Sequence, residues 1–165
     1  MAASPTDFIS ALRSEGPAAG RAGKMDLYAF LIGDWAFDAT VNKDDGSQHK
    51  GRGQIHAIWA LDGRAIQDVW ILPGFFYGTT LRVYDPALDA WHILWSDPLK
   101  QYYTRQIGRL RGRDVVQDGK LENGTLVRWS FLDMTPSSFR WLGERSFDSG
   151  ASWLMQLEML AKRAS

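Results

Sequence analysis

Phe30-Leu31-Ile32-Gly33-Asp34-Trp35-Ala36-Phe37-Asp38-Ala39-Thr40-Val41 is the stretch that decides the fold. Across it the apolar pattern changes from helical spacing to strict alternation. Trp35, Phe37, Ala39 and Val41 fall on one side, and Asp34, Asp38 and Thr40 on the other. A period of two belongs to a half-buried β-strand. Gly33 opens it with a residue free to take a φ closed to others.

The same texture recurs downstream. The alternation predicts strands over about 34–42, 48–61, 65–72, 75–84, 90–96, 101–110, 115–117, 126–133, 139–147 and 152–162, with Gly51 and Gly53 as bulge or bend points in the second. Asp-Gly and Asn-Gly hairpin signals and Asp-Pro breaks separate them, as at Asp45-Gly46, Asp62-Gly63, Asp85-Pro86, Asp97-Pro98 and Asn123-Gly124. No helix-length segment lies between strands, so no parallel βαβ unit is expected. The short turns, and an apolar last strand that would be hazardous at an open edge, favour closure. The expected fold is therefore all-β: a single up-and-down antiparallel barrel of about eight to ten strands with a short N-terminal helix.

Residues 1–23 read as that helix and a linker, and residues 24–165 as the barrel domain. Ser4 is the expected N-cap, Pro5 the first helical residue and Asp7 the acid of a capping box. Phe8, Ile9 and Leu12 form a short apolar stripe, expected either to pack on the domain or to serve as a lid over an opening.

The chain has 165 residues, 45% hydrophobic and 13% aromatic, with eight Trp, eight Phe and five Tyr, which excludes a disordered chain. Basic and acidic side chains balance at 19 each, so no basic field exists for a phosphate backbone and nucleic acid is not an expected partner. There is no cysteine, which removes disulfides, thiolate nucleophiles and zinc–sulfur sites. No apolar run reaches the length of a membrane span or a signal peptide, so a cytoplasmic protein is expected. The three His, at 49, 56 and 92, lack metal-ligand spacing, and there is no phosphate-binding glycine loop or Gly-x-Ser-x-Gly elbow. Neither metal nor cofactor is expected.

Gly33-Asp34-Trp35, opening the first strand after a short apolar helical turn, resembles the Gly-x-Trp signature of lipocalins. Leu61-Asp62-Gly63-Arg64, Tyr84-Asp85-Pro86 and Asp148-Ser149-Gly150-Ala151-Ser152-Trp153 are similar to turns of bacterial lipocalin-like domains. The resemblance to the calycin superfamily, which includes fatty-acid-binding proteins, spans about Leu27 to Arg163. It implies a barrel whose cavity holds a small apolar ligand. Related haem-binding barrels use a histidine near the C-terminus, and Met155 to Ser165 contains none.

Rings and ionisable residues within strands are the candidate site. Trp35, Phe37, Trp59, Trp70, Trp91, Trp95, Trp129 and Trp141 are expected to wall a cavity for an aromatic molecule. One of Tyr102 and Tyr103 must point inward. Arg105 shares a face with Tyr103, and the pair is the expected anchor for a carboxylate or phenolate. The turn at Asp62-Gly63 places residues whose numbers sum to about 124–126 opposite one another, which brings His56 near Asp68 as base and orienter. Three functions follow: binding of a small hydrophobic, aromatic ligand; cofactor-free acid–base catalysis, as a lyase or isomerase, on such a compound; and a homodimerising domain using outward tryptophans.

Overall fold

The structure is a computed structural model that describes residues 4–21 and 23–165; residues 1–3 and 22 of the expected helix-and-linker segment lie outside the described residues. Ten antiparallel strands form the barrel: β2 (Gly33–Asn42), β3 (Gln48–Ala60), β4 (Ala65–Leu72), β5 (Phe76–Asp85), β6 (Ala90–Asp97), β7 (Tyr102–Arg111), β8 (Asp114–Lys120), β9 (Leu126–Leu132), β10 (Ser138–Ser146) and β11 (Leu154–Arg163). Each pairs with the next in sequence, and β11 pairs back onto β2, so the sheet closes without a free edge. An eleventh strand, β1 (Arg13–Ser14), pairs with Ala60 and Trp59 of β3 beyond Ala57, the last β3 residue opposite β2.

The alternation in β2 holds through its buried side. Trp35, Phe37 and Ala39 are at most 2% exposed, and a one-residue slip would turn them to water. At about 1.5–3 kcal/mol for each large apolar side chain, that loss fixes the register. The β2–β3 register is regular throughout, so Gly51 and Gly53 are not bulges. Gly53 instead makes room for a ring: a Cβ there would lie 2.2 Å from Phe37 Cζ. The register shift of the β10–β11 ladder falls at Gly143/Glu144.

The strand directions define two ends. At one end a 3-10 turn, Asp26–Leu31, plugs the barrel, with Met25, Tyr28 and Leu31 fully buried. Trp35 Nε1 donates to the Leu31 carbonyl at 2.9 Å. Arg163, from the end of β11, lies 4.2 Å over the Trp35 ring and donates to the carbonyls of Phe30, Ile32 and Pro136. Gly33 enters β2 at φ 115°, a left-handed value that a side chain would strain.

The N-terminal segment differs from the sequence expectation in two ways. Helix α1 (Phe8–Leu12) is capped by Asp7, whose carboxylate accepts from Ser10 N at 3.0 Å, rather than by Ser4. Asp7 with Ser10 completes the capping box that Ser4 with Asp7 was expected to make. The apolar stripe is also not buried, since Phe8 is 75% and Ile9 62% exposed. Leu61 N donates to the Leu12 carbonyl and Ala18 N to that of Gly63, so this segment sits beside the β3–β4 turn at the plugged end. It is no lid over the other end. Among the described residues, no helix is long and apolar enough to cross a membrane.

Candidate functional site

The end opposite the plug opens into a cavity of about 260 Å³ inside the barrel. Its wall is built by inward-facing residues of six strands: Trp70 (β4), Phe76 and Thr80 (β5), Trp95 (β6), Tyr102 (β7), Trp129 (β9) and Trp141 (β10). The rings meet edge to face or tilted: Trp95 with Trp129 at 6.0 Å, Trp129 with Trp141 at 5.6 Å, and Trp70 with Trp141 at 5.9 Å between centroids. Such pairs hold their own geometry as well as burying area. Gly78 and Gly143 give these rings space; a Cβ at Gly78 would lie 2.5 Å from Trp95, and one at Gly143 2.8 Å from Trp141.

Beneath the rings lies a buried polar network. Arg82 is 1% exposed and lines the cavity. Its Nε donates to Asp68 Oδ2 at 2.7 Å and its Nη1 to Gln117 Oε1 at 2.5 Å. Asp68 Oδ1 accepts from Thr80 N at 3.2 Å, and Tyr28 donates its hydroxyl to Gln117 Oε1 at 2.9 Å. The guanidinium lies 4.9 Å from the Tyr28 ring and 5.5 Å from that of Phe131. Burial pushes the Tyr28 phenol far above its ordinary value, which keeps it a neutral donor. Tyr28 thus joins the plug to the cavity floor, through a gap that exists because β7 carries glycine at 108, where a Cβ would lie 2.2 Å from the Tyr28 oxygen. The indole N–H of Trp70, 4% exposed, and Gln106 Nε2 have no hydrogen-bond partner among the described residues.

At the mouth, Asp97, Lys100, Tyr102, Glu144 and Arg145 surround the opening. Asp97 is buried and accepts from the backbone N–H groups of Leu99 and Lys100. Lys100 Nζ lies 5.1 Å from the Phe75 ring centroid, and the Arg145 guanidinium 5.6 Å from that of Tyr102. Burial raises the Tyr102 phenol, and the nearby Arg145 cation pulls it partly back.

Of the expected wall, Trp70, Trp95, Trp129 and Trp141 line the cavity. Trp35 and Trp91 are buried around the plug, Trp91 5.0 Å from Tyr28, and Phe37 is core beside Phe76. Trp59 is partly buried at the end of β3. Tyr103 and Arg105 face outward, Tyr103 being 55% exposed, while Tyr102 turns in. They are not an internal anchor.

The expected His56–Asp68 pair is not assembled. His56 lies opposite Val69, and Asp68 opposite Ala57, a sum of 125 rather than 124. One residue of register puts them on opposite faces. Outside the barrel, His56 Nδ1 is 2.6 Å from Asp34 Oδ1; inside it, Asp68 has both oxygens engaged.

The sequence reading missed Arg82. In Gly78-Thr79-Thr80-Leu81-Arg82-Val83-Tyr84, alternation taken alone assigns Leu81 and Val83 to the core and Arg82 to water. The usable signal was Asp68 between Ile66 and Trp70, because an inward carboxylate needs an inward cation within reach. Outside, Arg140–Glu158 and Arg128–Asp118 are surface ion pairs of the kind that contribute little.

No family model matches the chain, and no curated protein matches it. Among the solved structures that resemble it are two at 10% sequence identity. An S-type phycobiliprotein lyase from Guillardia theta has a TM-score of 0.60 over 88% of this chain and 95% of its own. The Rv2717c protein from M. tuberculosis has a TM-score of 0.58 over 87% and 99% respectively. What they share with this chain is the fold, a closed antiparallel β-barrel.

Proposed function

We propose that this barrel binds a small, flat, mainly apolar molecule within the ring-lined cavity. The observation that carries the reading is a cavity of about 260 Å³ walled by Trp70, Trp95, Trp129 and Trp141, with a buried arginine at its floor. Apolar walls with a few placed polar groups are the common form of a small-molecule site. The volume falls just under the range of about 300–1,000 Å³ usual for drug-sized ligands, which favours a compact aromatic occupant. The likeness to poorly characterised bacterial lipocalin-like domains supports the same reading. Titration of tryptophan emission with compact aromatic compounds tests it: binding quenches or shifts the emission saturably, and Trp141→Ala weakens it about tenfold or more. Emission unchanged by the whole series would refute the reading.

A second reading, acid–base turnover of such a molecule, draws on the solved neighbour described as a lyase. Its candidate groups are Asp97 and Glu144 at the mouth, since both lie on the cavity wall and His56 does not. Loss of any detected turnover in Asp97→Asn or Glu144→Gln, with ligand affinity kept, is the result this reading requires. Of the tryptophans invoked for the homodimer reading, Trp59, Trp129 and Trp153 are partly buried and the other five buried.

A further inference from the structure

We infer that the molecule held in the cavity enters with an uncharged hydrogen-bond acceptor leading, an aromatic carbonyl group, received at the floor by Arg82. This rests on the cavity being a binding site, and adds which chemistry it selects. Two observations carry it.

The first concerns donors. A buried unmatched N–H is costly, and native interiors rarely leave one. Arg82 has five N–H groups and, among the described residues, spends them on Asp68 through Nε and on Gln117 through Nη1. The floor therefore offers spare donors, while the Asp68 oxygens are taken by Arg82 and Thr80.

The second concerns charge. Arg82 is neutralised by Asp68 at 2.7 Å with both side chains at most 2% exposed, so the floor carries no net charge to draw an anion out of water. At the mouth, the two cations Lys100 and Arg145 face the two carboxylates Asp97 and Glu144. A carboxylate guest would lose its hydration without meeting an uncompensated cation. A ketone or lactam oxygen loses little and satisfies the donors.

Calorimetric titration with three probes on one ring system tests the inference: 2-acetylnaphthalene, which carries the acceptor; 2-ethylnaphthalene, which has its shape without it; and 2-naphthoate, which carries an anion. The acetyl probe is expected to bind at least about tenfold more tightly than either of the others. Equal affinity for acetyl and ethyl probes would overturn the inference and leave cavity binding standing, as would tightest binding of 2-naphthoate. No binding of any probe would overturn both together.

Discussion

The most consequential residue is Arg82, whose charge is buried with that of Asp68 between rings. Removing one member of such a pair strands the other in a low-dielectric interior, at a cost of about 3–5 kcal/mol. Arg82→Met is expected to destabilise by that amount in denaturant unfolding, and Arg82→Met with Asp68→Leu to recover most of it. If the double variant is no more stable than the single, the pair does not carry this energy. His56 and Asp68 show how fine the residue scale is. Sequence placed them within one position of facing each other, and that one position separates a solvated His56–Asp34 contact from a buried carboxylate. Of the eight rings expected as a wall, Trp70, Trp95, Trp129 and Trp141 line the cavity, because a ring's presence on a strand does not say which end of the barrel it reaches. Arg82 was not legible, since its charge argues for water until Asp68 is known to lie beside it.

At the scale of elements, the barrel is held shut by contacts between its two chain ends. Arg163 clasps the carbonyls of Phe30 and Ile32, before β2, and covers Trp35. The fork of a guanidinium can do this and an ammonium cannot. Arg163→Lys is therefore expected to lose nearly as much stability as Arg163→Ala, about 1–3 kcal/mol in either case by thermal or denaturant unfolding. Full retention of stability by the lysine variant would mean that charge alone suffices. Helix α1 is the opposite case. Phe8 and Ile9 are exposed and the helix lies at the plugged end, so deleting residues 1–12 is expected to cost less than about 1 kcal/mol and to leave probe affinity within twofold. A large fall in affinity would show that this segment reaches the cavity after all.

For the molecule as a whole, the acid limb of stability follows from its turns. Asp148 accepts from Ser146 Oγ, Ser152 Oγ and Ser152 N, which together hold its carboxyl down at about 2. Hydrogen bonds to Ser10 and Ser47 lower Asp7 and Asp45, and a bond to His92 lowers Asp85. Asp89 is lowered first by Tyr84 and then by Lys24. A carboxyl with a depressed folded pKa contributes stability above its unfolded value, near 3.8 for these groups, and loses it as pH falls through the folded value. These carboxyls predict no loss of stability between pH 7 and 5, and a decline from about pH 4 toward pH 2. Asp148→Asn should make that decline shallower in pH-dependent unfolding. An unaltered acid limb in the variant would remove Asp148 from the account.

The sequence by itself determined the barrel. Strict alternation in Trp35 to Val41, repeated between Asp-Gly, Asn-Gly and Asp-Pro turns, leaves a chain of this length little else to form, because each strand must bury one face and only closure hides every edge. Tertiary structure alone decided what the barrel contains. Which of Tyr102 and Tyr103 turned inward depended on the register across the ladders, as did the partner of Asp68 and the division of the tryptophans between plug and cavity. Local pattern is blind to such choices, because the energy that selects them comes from side chains on other strands: a buried charge finding its counter-charge, and a ring finding the space left by a glycine.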